Sequence, residues 1–174
     1  MEINVAQLLR APIGSVRDYD INQVMDVTGD GVNRPVQGSV RLMRTNRSIL
    51  VKGTVSTVVE LTCSRCLGRF KCPLKMDIEE EYFPTTDVNT GAPVPVHDEP
   101  GSFTIDENHI LDLTEAVRQY ALLAIPMKPL CKETCAGLCP ICGQNLNQGP
   151  CGCPPQEADP RWAALSKLKK EKGN

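Results

Sequence analysis

The chain has 174 residues, 41% hydrophobic and 23% charged, which is the length and balance of one soluble folded domain with room for a small appendage. Its longest uncharged apolar run, Tyr120 to Ile125, falls far short of the roughly 20 residues that cross a bilayer, so no membrane span is expected. A net charge of -2 excludes a uniformly basic nucleic-acid binder.

Asn4 to Arg10 reads as a short helix with Val5, Leu8 and Leu9 on one side, stopped by Pro12 and Gly14. Glu2 and Asn4 interrupt the opening apolar residues and no basic stretch precedes them, so secretion is not expected and a cytoplasmic location is. Val16 to Ile21 reads as a first strand, followed by a Gly/Asp/Asn-rich loop from Thr28 to Asn33. Val36, Val40 and Leu42 mark a second strand, and Arg44 to Arg47 a hairpin connection. Ile49, Val51, Val55, Val59 and Leu61 then alternate with polar or small residues, as one buried sheet face requires. A further run places Phe70, Cys72, Leu74, Met76, Ile78 and Tyr82 on one face, interrupted by Glu80. Pro84 to Gly101 has the composition of a long loop, with a brief strand following at Ser102 to Ile105. Asp112 and Glu115 form a D-x-x-E capping pattern that opens a helix ended by Pro126. Asp159 and Pro160 start a last helix carrying Trp162, Leu165 and Leu168 on one stripe and a basic end.

Charge is segregated along the chain. From Val40 to Lys75 eight basic residues face one acid, whereas Met76 to Glu115 holds eleven acids and no Lys or Arg. Two readings follow: a positive surface for phosphate formed by Arg41, Arg44, Arg47, Lys52, Arg65 and Arg69, or two solvated faces that neutralise one another.

Nine cysteines without an export signal point to metal ligation, because a reducing cytosol disfavours disulfides. Cys139-Pro140-Ile141-Cys142-Gly143 is the strongest element. Two residues between thiolates aim both sulfurs at one ion, and the glycine permits the tight turn. Cys151 and Cys153 complete a set of four in a segment too poor in large apolar residues to order itself by burial. Cys63 and Cys66 lie at the junction of two predicted strands, and by elimination their partners are Cys131 and Cys135. Cys72 is left over as a small hydrophobe. Zinc is the expected ion. An iron-sulfur cluster and a thiol-disulfide redox role are the chemical alternatives. His97 and His109 lie outside any nucleophile motif and Glu79, Glu80 and Glu81 alternate between strand faces, so no catalytic site and no small-molecule substrate are expected.

Cys63-Ser64-Arg65-Cys66-Leu67, Leu111-Asp112-Leu113 leading to Leu122-Leu123-Ala124-Ile125-Pro126, Gly137 to Gly143, and Asp159-Pro160-Arg161-Trp162 together resemble the YceD family of large ribosomal RNA subunit accumulation proteins. The resemblance implies a non-enzymatic, metal-binding factor for large-subunit ribosomal RNA. The expected fold is α+β, an antiparallel β-meander with a packed helix and a C-terminal zinc-ribbon-like segment. The expected organisation is a core over residues 1–130, a metal-binding segment over 131–155 and a basic helix over 156–174. Partners are ribosomal RNA or, alternatively, ribosome-assembly proteins docked on the acidic stretch.

Overall fold

The computed structural model describes residues 1–95 and 101–154. His97 and the expected C-terminal helix lie outside these residues. The chain divides into two compact units, Met1–Ser64 with Gly68–Cys131, and Arg65–Leu67 with Lys132–Asn174.

The first unit is mainly β. Its elements are β1 (Glu2–Asn4), α1 (Ala6–Arg10), β2 (Val16–Met25), β3 (Arg34–Arg44), β4 (Ile49–Thr62), β5 (Arg69–Pro84), β6 (Phe103–Ile105), β7 (Ile110–Asp112) and α2 (Thr114–Ala124). They form one seven-stranded sheet in the order β1-β7-β6-β5-β4-β3-β2. The alternation seen in the sequence puts Val36, Val40 and Leu42 of β3, Val51, Val55 and Val59 of β4, and Leu74, Met76, Ile78 and Tyr82 of β5 into one core. Full burial of each such side chain contributes roughly 1.5–3 kcal/mol. Helix α2 buries Ala116, Val117 and Ala121, packs on β5, and brings the Tyr120 hydroxyl to within 3.3 Å of the Glu79 N–H and 3.0 Å of the Glu80 carboxylate. Glu80 breaks the apolar run of β5 because it faces this hydroxyl. Among the described residues no helix is long and apolar enough to cross a membrane.

The expected meander holds for β2 to β5, all antiparallel neighbours in sequence order. It stops there, since β6 pairs with β5 in parallel and β7 with β1 closes the far edge. The D-x-x-E cap does not form. Leu113 is the N-cap, Asp112 Oδ1 accepts from the Thr114 N–H at 2.9 Å, and Glu115 is held by Arg118 at 2.7 Å. Asp112 stands one residue before the N-cap and spends Oδ1 on the Met1 amine and on the Thr114 N–H and hydroxyl, so no side chain caps the helix.

In the β2–β3 connection, Arg34 is buried to 8% exposure and spends its guanidinium on Thr28 Oγ1, Val32 O and both oxygens of Asp30, the last at 2.5 and 2.9 Å. The Arg34 bonds, and then the Val32 N–H, hold the Asp30 carboxyl well below the ordinary carboxylate range. A carboxyl depressed on folding contributes stability that is complete above its unfolded pKa and is lost as pH falls through the folded one. Asp30→Asn is therefore expected to lose less stability than the parent between pH 5 and pH 2, read as the shift in urea midpoint. Equal shifts would show that the pair carries no pH-linked stability.

Candidate metal centres

The tip of the β4–β5 hairpin is a cysteine turn. Cys63 N–H donates to Gly68 O at 2.9 Å, and Leu67, directly after Cys66, sits at φ 57. The second turn repeats this geometry: Cys139 N–H donates to Gln144 O at 2.8 Å, and Gly143, directly after Cys142, sits at φ 73. In both, the residue after the second cysteine is left-handed, which lets the chain fold back while two sulfurs point the same way. Gly143 adopts this freely, whereas Leu67 does so at a cost of about 1–3 kcal/mol. A leucine held there by a strand on each side is a signal of function that the sequence carries only as an ordinary side chain.

The structure brings Cys139, Cys142, Cys151 and Cys153 together, their sulfurs all within 4.8 Å of one another, and brings Cys63, Cys66, Cys131 and Cys135 together on the same criterion. Tetrahedral ligation at a Zn–S distance of 2.3 Å requires sulfurs about 3.8 Å apart, so a small contraction suffices for either set. The donor chemistry also fits. The backbone N–H groups of Cys142 and Ile141 lower the Cys139 thiol to about 6, favouring the thiolate. Its neighbour Cys153 is pushed up to about 12, first by its hydrogen bond with the Cys142 thiol and then by burial. Four crowded sulfurs cannot all ionise without a cation to offset them, and a divalent ion supplies that charge. Either set can hold a metal ion. Cys72 stays apart from both, half-buried against the sheet core.

The six basic residues singled out from the sequence occupy different settings. Arg41 is bonded to Asp18 at 2.7 and 3.1 Å, Lys52 to Glu79 at 2.6 Å and Arg69 to Glu60 at 3.5 Å. Arg65 donates to Glu133 O and Cys135 O at 3.3 and 3.0 Å, within the unit that holds the cysteine turns. Asp18, Arg41, Lys52 and Glu79 lie in one cross-strand row over β2 to β5. The basic and acidic stretches, separate in sequence, meet where antiparallel pairing lays the start of β4 against the end of β5, as Lys52 meets Glu79, whereas Asp18 and Glu60, which answer Arg41 and Arg69, lie outside the acidic stretch. Arg44 and Arg47 are the exceptions. Both line a groove of about 550 Å³ whose apolar wall includes Leu9, Phe83, Val88 and Val94. Arg44 spends one nitrogen on Ser48 O at 3.1 Å, and Arg47 is exposed. Asp87, also at this groove, has its carboxylate turned onto the N–H groups of Asn89 and Thr90 at 2.9 and 2.8 Å. Sequence reasoning supplied the arginines but missed the groove, whose apolar wall comes from α1, β5 and the loop after it.

The family described as "Large ribosomal RNA subunit accumulation protein YceD" matches residues 51–169. An uncharacterized protein of Mycobacterium tuberculosis (strain ATCC 25618 / H37Rv) is 32% identical over 132 residues, which covers 74% of this chain and 59% of that protein. The chloroplastic large ribosomal RNA subunit accumulation protein YCED homolog 1 of Zea mays is 30% identical over 188 residues, covering 92% of this chain and 62% of the maize protein. Its counterpart in Arabidopsis thaliana is 27% identical over 158 residues, covering 79% and 49% respectively. The chain therefore spans less than two thirds of the length of these relatives. No solved structure matches. Since the family pattern runs from β4 through both cysteine sets, over more than half of the sequence, the chain belongs to the YceD family of large ribosomal RNA subunit accumulation proteins.

Proposed function

We infer that this chain is a zinc-binding, non-enzymatic factor with a ribosome-related role, associated with large-subunit ribosomal RNA. The observation that carries the metal part is the presence of two all-cysteine sets, each within tetrahedral reach. Sulfur-only ligation with no weaker donor suits a structural zinc, with the C-terminal set in a zinc-ribbon-like segment, and thiolate ligands require the reducing conditions of a cytoplasm-like compartment. The relatives named for large ribosomal RNA subunit accumulation support the RNA part.

The groove bearing Arg44 and Arg47 is the surface best suited to RNA. Its two guanidinium groups have no carboxylate partner among the described residues, and its apolar wall offers a bed for an unstacked base. Arg41, Lys52 and Arg69 already answer to acids, and each would have to exchange that partner for a phosphate. Each phosphate neutralised contributes about -0.7 to -0.9 to the slope of log K against log salt concentration. Arg44→Glu with Arg47→Glu is expected to weaken binding of a large-subunit ribosomal RNA fragment and to flatten that slope by about 1.5, with circular dichroism unchanged. An unaltered slope would remove the RNA reading from this groove. Association with ribosomal particles that survives nuclease treatment would instead favour a protein adaptor.

A further inference from the structure

The loop between Cys142 and Cys151 carries one side chain that reaches the other cysteine set. Asn147 Nδ2 donates to Cys135 Sγ at 3.3 Å and to Asn145 Oδ1 at 2.8 Å, and Asn147 Oδ1 accepts from the Ala136 N–H at 3.0 Å. Both amide hydrogens and the amide oxygen are engaged, and the orientation is settled by chemistry. The Ala136 N–H can only donate, so oxygen must face it and the two amide hydrogens must face the sulfur and the Asn145 oxygen. The loop itself is strapped to the strand-like stretch before it by Leu146 N–H to Gly137 O at 2.9 Å, by a bridge between Leu138 and Asn145, and by Cys139 N–H to Gln144 O at 2.8 Å. The same fold-back that presents Cys139 and Cys142 to an ion therefore presents Asn147 to Cys135.

We propose that Asn147 is a positioning residue of the Cys63, Cys66, Cys131 and Cys135 centre, and that through it zinc at the Cys139 centre strengthens zinc binding at this one. The proposal rests on the zinc reading above. Four thiolates around a divalent ion leave a net charge of -2, and an N–H donor to one sulfur offsets part of it and holds that sulfur in place. Asn147 is on a loop with little apolar burial, so the donor is in place only when the loop is closed. Ion binding by Cys139, Cys142, Cys151 and Cys153 closes it. The ordering cost is then met before the second ion arrives, which is positive coupling between the two centres.

Three variants of the full chain separate the roles. Asn147→Ala removes both the donor and the acceptor. Asn147→Asp keeps an oxygen for the Ala136 N–H and replaces the donor to Cys135 by a second oxygen. Cys142→Ser empties the loop-closing centre. Zinc content is counted after purification, and stepwise affinity is read by competition with a chromophoric chelator. Cobalt substitution reports each centre through its thiolate charge-transfer bands.

The expected result is two ions in the parent and in both Asn147 variants, with one of the two affinities lowered about 10- to 100-fold. Asn147→Asp should lose at least as much as Asn147→Ala, because a purely structural role toward Ala136 would leave it near the parent. Cys142→Ser should weaken the remaining centre about 10-fold in the parent and leave it unchanged when Asn147 is already Ala. Two ions with unaltered affinities in all Asn147 variants would overturn the coupling while leaving the zinc reading standing. A parent protein that takes up no zinc would overturn the zinc reading itself, and the coupling with it.

Discussion

Cys139→Ser is expected to reduce the zinc content from two ions to one and to melt the stretch from Ala136 to Pro154, beyond the Cys135 ligand of the other centre, while Cys63→Ser removes the other ion. The reason is the near absence of any alternative source of order. In that stretch the buried residues are Gly137 and Cys139, and Ile141 is 54% exposed. Its described backbone hydrogen bonds are short-range straps such as Gly143 N–H to Cys139 O at 2.9 Å, which cannot outweigh about 1–2 kcal/mol of conformational entropy per residue. Structural zinc sites supply about 10–16 kcal/mol, so the ion is the larger part of what holds the segment. Cys139 is the most consequential single ligand. Its sulfur accepts the Ile141 N–H at 3.4 Å and its backbone closes the turn, so a serine there weakens binding by more than the about 10- to 100-fold typical of supporting residues. Elemental analysis counts the ions, and hydrogen exchange over residues 136–154 reads the order. Unchanged protection in a metal-stripped parent would sink the argument that metal shapes this segment.

How much of this was legible in the sequence depended on the range of the interaction involved. The β3, β4 and β5 faces could be read directly, because alternation is a property of adjacent residues and Val51, Val55, Val59, Leu74, Met76 and Ile78 all obey it. The two cysteine sets were legible for a related reason: ligand spacing is local, and once Cys139, Cys142, Cys151 and Cys153 are grouped only four other paired cysteines remain. The three-residue strands β1, β6 and β7 escaped, apart from the hint at Ser102 to Ile105, because so few residues show no period. Their existence depends on pairings such as Ile3 with Leu111, over a hundred residues apart in sequence. Charge was misleading in a specific way. A run of basic residues followed by a run of acids suggests two surfaces, but when the runs fall on neighbouring antiparallel strands the register turns them into cross-strand pairs such as Lys52 with Glu79. Asn147 was invisible because an amide in a Gly/Asn-rich loop looks like turn chemistry. Only the fold-back reveals a sulfur beside it.

The second large effect is expected from two glycines that the sequence offers only as small residues within strands. A Cβ on Gly38 would lie 2.1 Å from Thr54 O and 2.7 Å from Val55 Cα, and one on Gly53 would lie 2.3 Å from Ser39 O and 2.6 Å from Val40 Cα. Each obstruction is backbone of the paired strand, so no side chain can swing away to relieve it. The two clashes are reciprocal: Gly38 pairs with Val55 and Gly53 with Val40, and Ser39 with Thr54 lies between them. The backbones of β3 and β4 are thus pressed together at one point in the interior of the sheet, and relief requires parting the ladder next to the buried Val40 and Val55. Gly38→Ala and Gly53→Ala are each expected to destabilise the first unit by about 3 kcal/mol, at the upper end of the overpacking range, and to lower its melting temperature by about 10 °C. The pair should cost less than the sum of the singles, since the first substitution already opens the strands that the second would force apart. Ser39→Ala, on the exposed side of the same ladder, serves as the control and should stay within about 0.5 kcal/mol of the parent. Urea denaturation of the four variants beside the parent decides the matter: alanine tolerated at both glycines would mean that β3 and β4 separate at little cost and that the close approach is not what sets their pairing.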